Sequence, residues 1–285
     1  MGDDEDQYDV GNRLPFRWET AISWKSKDEI ICRGYDVNDL AENSGFIAMV
    51  FLLLRGELPN AKEEVMLNYL MTAFAEHAFS PSAISARMVA SGRPPLNSAI
   101  AAGVMTFGEA HGPGHVYSEL LVGLRQRCHE ENRSLRDVAS EYVSDSLRMK
   151  RKIPGLHQPQ HTNGDPRAIG ILRKASDLGL AGQYSELQGE IAAAYSSQSG
   201  RVLQPNVLGA AGPTLLDMGF MPKACWAIGI LSRAFSCAAH AIEEMETQSP
   251  WRASSRNPMV DILDLSLQGP KHYKGPGRRK VPLKR

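Results

Sequence analysis

Cysteine is scarce in this sequence, and no two of its cysteines are spaced like a pair. The four lie far apart, at Cys32, Cys128, Cys225 and Cys237, and no Cys-x-x-Cys run is present. Metal-binding or redox motifs built on such runs are therefore excluded. The spacing predicts reduced thiols, as in cytosolic proteins.

Net charge and long apolar runs are lacking as well. Lysine and arginine total 32 residues and aspartate and glutamate 32, so the formal net charge is +0. This leaves no global field that would attract nucleic acid or an acidic membrane. No apolar run reaches the length that spans a bilayer, and the start lacks the basic and then apolar pattern of a signal peptide. We therefore expect a soluble, cytoplasmic protein with no nucleic-acid or membrane partner.

Helical periodicity is what the sequence has in abundance. Apolar residues recur at intervals of three and four in eight segments, whereas strand signals are confined to residues 22–31. The segments are 47–54, 60–77, 97–107, 116–124, 134–143, 165–179, 206–219 and 222–246. Capping patterns mark helix starts at Asn60 with Glu63, and at Asp165 followed by Pro166. The sequence therefore predicts an all-α fold.

Arg233 is a charged residue on an apolar helix face. Trp226, Ile230, Arg233 and Cys237 follow 4-3-4 spacing, so the arginine points with the apolar stripe. A buried charge without a partner is very costly. Two alternatives follow, and position alone does not choose between them: an acidic residue of the protein pairs with Arg233, or an anionic ligand does.

Two histidines stand in unusual positions. His77 is predicted to share a helix face with apolar residues, where a satisfied core histidine is commoner than a ligand contact. His111 follows a helix and has glycines nearby, at Gly108 and Gly112, which would let a ligand approach the backbone closely. For His111 a functional role is favoured over a histidine that caps the preceding helix.

Arg167 lies in the first turn of its predicted helix, where the helix dipole disfavours a positive charge. A bound anion would relieve that cost, and a solvated surface arginine is the alternative. His157, Gln158 and His161 form a polar cluster in the preceding loop, but no carboxylate or cysteine stands at matching spacing. We therefore predict no metal site.

Six short motifs stand in a set order along the chain. They are Arg33-Gly34-Tyr35-Asp36-Val37, Glu76-His77-Ala78, His111-Gly112, Lys152-Ile153-Pro154-Gly155, Asp165-Pro166-Arg167-Ala168 and Ser232-Arg233-Ala234. Each is weak alone, but their order and spacing resemble the citrate synthase superfamily, and its short citryl-CoA lyase members in particular. The resemblance runs from about residue 33 to the C-terminus.

The resemblance implies a helical homodimer whose subunit has two domains. Residues 1–112 and 220–285 would form the large domain, and residues 113–219 the small domain. The active site would lie in the cleft between the two domains.

The resemblance also implies Claisen-type chemistry on a coenzyme A thioester, with a dicarboxylic keto acid as the small anionic substrate. His77, Arg167 and Arg233 would hold that acid, and arginine suits this role because its planar fork matches a carboxylate. His111 would hydrogen-bond the thioester oxygen as the enol develops. The residues that would face coenzyme A are Lys152, Ile153 and Gly155.

Two positions depart from the family pattern. The family's second histidine falls on Gln158, and its catalytic aspartate falls on Leu208. Gln158 can hydrogen-bond a carbonyl oxygen but cannot carry a positive charge, and His157 could substitute only if the loop slips by one residue. Leucine has no proton chemistry, whereas a well-placed general base contributes about 10²–10⁴-fold. Asp217 lies nine residues further along the same helix, too far to replace it.

Three interpretations of these departures follow. In the first, which we prefer, the chain is an enzyme with altered chemistry on a CoA thioester or a related acid, and its base comes from His157, His161 or Glu109 or is not needed. In the second, it is a catalytically inactive homologue that binds an anionic ligand or regulates a partner. In the third, it is a citryl-CoA lyase whose base is supplied from elsewhere.

Overall fold

The computed structural model describes residues 19–77, 79–112, 114–157 and 164–251. Helices dominate the described residues, which confirms the predicted all-α fold. The chain divides into two compact units, residues 1–64 and residues 65–285. The domain boundaries implied by the family resemblance stay a prediction. Gln158 and His161 lie outside the described residues.

The first unit holds a small antiparallel sheet followed by two helices. The strands are β1 (Ser23–Lys25), β2 (Ile30–Cys32) and β3 (Tyr35–Asp36), paired in that order. The helices are α1 (Val37–Asn43) and α2 (Phe46–Arg55). Cys32, Leu40 and Leu52 form the buried core of this unit. The strand signals in the sequence are thus confirmed, although the sheet extends a few residues beyond them.

Helix α3 (Ala61–Ala75) begins in the first unit and continues into the second. Its start is the predicted capping box: the Asn60 side chain accepts hydrogen bonds from the backbone of Lys62 and Glu63 at 3.0 and 3.1 Å, and Glu63 accepts one from the backbone of Asn60 at 2.8 Å. The end of α3 corrects one prediction. His77 lies two residues past the last helical residue rather than on the apolar helix face, because the helix stops at Ala75.

The second unit is built from helices packed around α10 and α11. Helix α11 packs against α4, α5 and α6, whereas α10 contacts α6, α8 and α9, and α7 packs along α9. Their bounds are α4 (Pro81–Ala90), α5 (Leu96–Val104), α6 (Gly114–Glu130), α7 (Leu135–Arg148), α8 (Pro166–Leu178), α9 (Gln183–Ser199), α10 (Val207–Asp217) and α11 (Pro222–Thr247). The largest fully buried side chains include Tyr117, Leu121, Ile171, Leu215 and Ile228.

Helix α11 is the longest helix among the described residues. By length and composition alone it could cross a membrane, and the expectation of no membrane partner stays a prediction. The indication is weak, because core helices of proteins that never enter a membrane pass the same test. Helix α11 also carries two buried charged residues, Arg233 and Glu244, and the latter is paired with Arg87 at 3.0 Å.

Candidate active site

A cavity of about 1030 Å³ lies within the second unit. Its walls come from the turn before α6, the loop between α7 and α8, and the facing parts of α10 and α11. The predicted site residues that the structure describes all line it: His77, His111, Lys152, Ile153, Gly155, His157, Arg167, Leu208 and Arg233. Two further candidates, Gln158 and His161, lie outside the described residues. The roles of these residues stay predictions, but their proximity is a finding.

Arg233 is buried on α11, as its spacing predicted, with only 5% of its surface exposed. Its Nε donates to the Phe74 carbonyl at 3.1 Å, and its Nη1 donates to the hydroxyls of Ser80 and Ser82 at 2.9 and 3.1 Å. Among the described residues no carboxylate lies within ion-pair distance of this guanidinium. Burial lowers the pKa of Arg233, and although Glu76 opposes that shift, Arg167 adds to it. The charge is therefore solvated by neutral groups on one side and open to the cavity on the other.

Arg167 has a protein partner that neither of the two alternatives considered for it included. Its guanidinium forms a two-point ion pair with the Asp165 carboxylate, with Nε–Oδ1 at 3.0 Å and Nη2–Oδ2 at 2.8 Å. The same carboxylate caps α8, because it accepts the backbone N–H of Arg167 at 3.0 Å. The N-cap residue thus neutralises the arginine in the first turn. Arg167 remains on the cavity wall, and the Nε–Nη2 edge of its guanidinium is bound to Asp165.

His111 sits in a tight turn whose ends, Gly108 and His111, exchange two backbone hydrogen bonds of 2.9 and 3.2 Å. Its ring lies 4.7 Å from that of Phe107, centroid to centroid. Burial lowers the pKa of His111, and the positive charges of Arg233 and His77 lower it further. Its Nε2 is buried and has no hydrogen-bond partner among the described residues. A neutral imidazole with an unused ring nitrogen suits a hydrogen bond to a ligand.

The predicted CoA-facing loop is held against the segment before α10. The backbone of His157 donates to Gln204 at 3.0 Å, and that of Asn206 donates to the Gly155 carbonyl at 3.0 Å. The Asn206 side chain reaches back to the His157 carbonyl at 3.0 Å. Gly155 has a left-handed φ of +81°, and a Cβ there would lie 2.5 Å from the ring of Tyr117. Only glycine fits this position without strain.

Leu208 occupies the first turn of α10, next to the loop just described. The Asn206 side chain caps this helix by accepting the backbone N–H groups of Leu208 and Gly209, each at 3.0 Å. The helix dipole would stabilise a carboxylate at this position, so helix stability does not explain the leucine. The Leu208 side chain lines the cavity.

Asp217, at the far end of α10, is fully engaged elsewhere. Its carboxylate accepts the backbone N–H groups of Gly182, Tyr184 and Ser185 at 2.8–3.0 Å, together with the Ser185 hydroxyl at 2.6 Å. It therefore caps the start of α9. The prediction that Asp217 does not serve the site agrees with this arrangement.

Glu76 connects the segment that carries His77 to helix α11. Its carboxylate accepts the backbone N–H of His77 at 2.9 Å and a short hydrogen bond from Ser236, and it lies 3.3 Å from Nε2 of His240. Burial acts to raise the pKa of Glu76, but the hydrogen bonds from Ser236 and His240 outweigh it and lower the pKa. His77 is thereby tied to the helix that supplies Arg233.

Three cavity residues had been missed from the sequence. Lys150 and Arg151 stand beside Lys152 on exposed backbone, so three consecutive basic residues border the cavity. This run directly before Pro154-Gly155 was the signal that could have identified them. Trp226 was noted only for its spacing, yet its Nε1 donates to the Gly112 carbonyl at 3.0 Å and so braces the turn after His111. In the described part of the chain, no three His, Cys, Asp or Glu side chains are grouped as metal ligands would be.

Comparison with known proteins identifies the fold. A family model described as "Citrate synthase, C-terminal domain" matches residues 60–254, more than half of the chain. The chain belongs to the citrate synthase family. This confirms the resemblance found in the sequence.

Three relatives illustrate the range of this family. A solved citryl-CoA lyase from Hydrogenobacter thermophilus superposes with a TM-score of 0.80 and 31% identity, covering 93% of this chain and 97% of that one. The 2-methylcitrate synthase 1 of Corynebacterium glutamicum is 25% identical over 83% of this chain. The citrate synthase of Haloferax volcanii is 26% identical over 82% of it. The chain spans 60% of the length of each of these two synthases.

Proposed function

We propose that this protein binds a coenzyme A thioester together with a dicarboxylic or keto acid in the cavity, and makes or breaks a carbon–carbon bond between them. The observation that carries the proposal is that two groups which could each bind a ligand line the same cavity. Arg233 is a buried cation without a carboxylate partner among the described residues, and His111 presents a buried ring nitrogen without a hydrogen bond. Both are complemented by an anionic acid next to a thioester carbonyl.

The charges of the cavity wall support two ligands rather than one. Arg233 and Arg167 both line the cavity, and the planar guanidinium of each matches a carboxylate. The exposed run Lys150, Arg151 and Lys152 borders the same cavity, where it suits the phosphates of coenzyme A. The names of the relatives, which include a citryl-CoA lyase and two synthases of citrate-like acids, supply the substrate class.

His111 is the residue that we assign to catalysis. Its lowered pKa keeps the imidazole neutral near pH 7, and the Nε2–H group of the neutral ring can donate a hydrogen bond to a thioester oxygen. Such a donor stabilises the negative charge that develops on that oxygen when an enolate forms or is released. His77 and Arg233 would hold the acid so that its carbonyl carbon faces the enolate carbon.

The first experiment separates binding from turnover. Oxaloacetate, citrate and CoA should each raise the thermal midpoint, because ligands that bind the native state stabilise it. Incubation with citryl-CoA, followed by mass spectrometry of CoA species, should show cleavage that His111→Ala reduces by at least about 100-fold. If no acid and no CoA species shifts the midpoint, the proposed function is wrong.

A second candidate function is supported by Leu208. An apolar residue at the family's aspartate position favours a catalytically inactive homologue that binds an anionic ligand or regulates a partner. Thermal shifts with these ligands, combined with no turnover of any thioester, would support this candidate over the first.

Homodimer formation remains part of the proposal. Leu231, Phe235 and Ile242 are exposed on α11 by 46%, 62% and 41%, and their spacing of four and seven residues places them on one helix face. Apolar faces of this kind commonly mark an interface between subunits. The cytoplasmic location and the lack of nucleic-acid or membrane partners likewise stay predictions, as does the absence of a metal.

A further inference from the structure

An apolar surface stands directly beside the turn that carries His111. A Cβ built on Gly114 would lie 3.9 Å from Cδ2 of Leu208 and 3.6 Å from Cδ1 of Trp226. Trp226 is fixed in this place by its hydrogen bond to the Gly112 carbonyl at 3.0 Å. Gly112 and Gly114 therefore lie beside this indole, and Gly114 also lies beside the leucine; Trp226 and Leu208 both line the cavity.

The cavity wall is poor in groups that could remove a proton from carbon at this surface. Among the described residues that line it, Glu109 alone carries a carboxylate, and Glu109 is exposed in the turn before His111. Cys225 is present, but burial raises the pKa of its thiol to about 12. Burial also raises the pKa of Tyr117 far above its usual value. His157 is exposed in the loop before α8. On the described part of the wall the one carboxylate is therefore an exposed one, whereas a hydrogen-bond donor for an enolate oxygen, His111, is in place.

An enolate can be formed without a base if the carbon loses carbon dioxide instead of a proton. We propose that this protein forms its thioester enolate by decarboxylation, and that its thioester substrate is a 2-carboxyacyl-CoA of the malonyl type. The inference rests on the proposed function, because it assigns the substrate class of the same cavity. It explains a leucine at the position where proton removal would need a carboxylate.

The step balances without an oxidant or a further reactant. The bond between the α-carbon and the carboxylate carbon breaks, and carbon dioxide leaves. The electron pair of the broken bond stays with the α-carbon and is delocalised onto the thioester oxygen, which accepts a hydrogen bond from His111. The α-carbon then bonds to the carbonyl carbon of the keto acid held by Arg233. The carbonyl oxygen becomes an alkoxide and takes a proton from water.

An apolar surface favours this step for an electrostatic reason. A carboxylate next to Leu208 and Trp226 loses water that would stabilise its charge, so its ground state rises in free energy. As carbon dioxide leaves, the charge moves away from that surface toward the ring nitrogen of His111. An aspartate at position 208 would have the opposite effect, since it would repel the substrate carboxylate.

The test compares two thioesters with the same keto acid. The full-length protein is incubated with oxaloacetate and either acetyl-CoA or malonyl-CoA carrying ¹³C in its free carboxyl group. Labelled carbon dioxide and a citryl product should form from malonyl-CoA at least about 100-fold faster than the same product forms from acetyl-CoA, which is the lower range of what a general base contributes. Leu208→Asp should lower the malonyl-CoA rate by a larger factor than Leu208→Met, which keeps the surface apolar.

The other outcomes separate this inference from the proposed function. Turnover of acetyl-CoA that Glu109→Gln abolishes would show that Glu109 is the base, which overturns decarboxylation but keeps the proposed function. Thermal shifts with oxaloacetate and CoA, without turnover of either thioester or of citryl-CoA, would overturn decarboxylation in favour of an inactive binding protein. The absence of any thermal shift and of any turnover would overturn both.

Discussion

Arg233 shows how a single side chain constrains the ligand. Its guanidinium is held by a carbonyl and two hydroxyls, which satisfy part of its hydrogen-bonding capacity but leave its charge unbalanced. Ser80 and Ser82 also lie 3.0 Å from each other, oxygen to oxygen, so they keep a partner if the arginine is removed. The cost of burying the charge is therefore recovered when an anion binds.

Replacing Arg233 should separate ligand affinity from stability. In Arg233→Met the affinity for oxaloacetate should fall by about 10- to 100-fold, because a charge-assisted hydrogen bond is lost. The free energy of unfolding should change little or rise, since a buried unpaired charge is removed. Isothermal calorimetry and urea unfolding measure the two quantities. Arg148→Met, at an exposed arginine paired with Asp145, is the matched control, and equal loss of affinity in both variants would contradict the role of Arg233.

His111 should give the stability a pH dependence of defined sign. Its pKa is lowered in the folded protein, so the unfolded chain takes up a proton first as the pH falls below about 6.5. The free energy of unfolding should therefore decrease below that pH, until the folded pKa is also passed. His111→Gln should flatten this decrease in urea titrations at pH 7.5, 6.5 and 5.5. The exposed His129→Gln is the control, and equal flattening in both variants would contradict the assignment.

Two glycines with left-handed backbone allow the effect of backbone strain on stability to be separated from the effect of side-chain crowding. Gly155 has a φ of +81° and Tyr117 in the path of any Cβ, whereas Gly200 has a φ of +67° and nothing within 4 Å. Gly200→Ala should destabilise by about 1–2 kcal/mol through backbone strain. Gly155→Ala should destabilise by a further ~1–3 kcal/mol through overpacking. Thermal unfolding of both variants checks this, and equal losses would show that Tyr117 moves aside freely.

At the scale of whole elements, α9 depends on a cap from another helix. The Asp217 carboxylate satisfies four donors at the start of α9, where the helix itself offers no side-chain cap. Asp217→Ala should therefore destabilise by about 1–3 kcal/mol. Asp145→Ala, which removes only an exposed ion pair with Arg148, should change stability by less than about 0.5 kcal/mol. Urea unfolding at fixed pH measures both, and similar values would refute the capping role.

The elements that the sequence predicted well are those with local signals. Asn60 with Glu63, and Asp165 with Pro166, mark helix starts because capping involves residues two or three apart. Helices α4 and α9 were not predicted, since small and polar residues such as those of residues 183–199 give no clear apolar stripe. The end of α3 before His77 was missed for a related reason. The contacts of Glu76 with α11 hold that segment, and they come from residues 160 positions away.

In the site too, local features can be predicted from the sequence, whereas contacts between distant positions cannot. Burial of Arg233 could be derived from 4-3-4 spacing because it depends on one helix. The Arg167–Asp165 ion pair is also local, but a pattern that marks Asp165 as a helix cap does not indicate that its carboxylate binds the arginine side chain as well. The bracing of the turn by Trp226 joins positions 114 residues apart, and no pattern in the sequence indicates such a pair.

At the scale of the whole molecule, the exposed face of α11 predicts self-association. Phe235 is 62% exposed at the centre of this face. In sedimentation experiments the wild-type protein should run as a dimer, and Phe235→Glu should shift it toward the monomer, because a charge in an apolar interface is costly. Glu130→Lys, at an exposed end of α6, tests whether any change of charge has this effect. A wild-type monomer at high micromolar concentration would contradict the prediction.

The close approach of Gly155 and Gly209 has a consequence for how this cavity could acquire new reactions. A Cβ at Gly209 would lie 2.0 Å from the Gly155 carbonyl oxygen, so the loop and the first turn of α10 touch backbone to backbone. Position 208 is thereby fixed in space whatever side chain it carries. A protein built in this way can exchange the chemical group presented at that point, from a carboxylate to a hydrocarbon, while the frame that aims it stays unchanged.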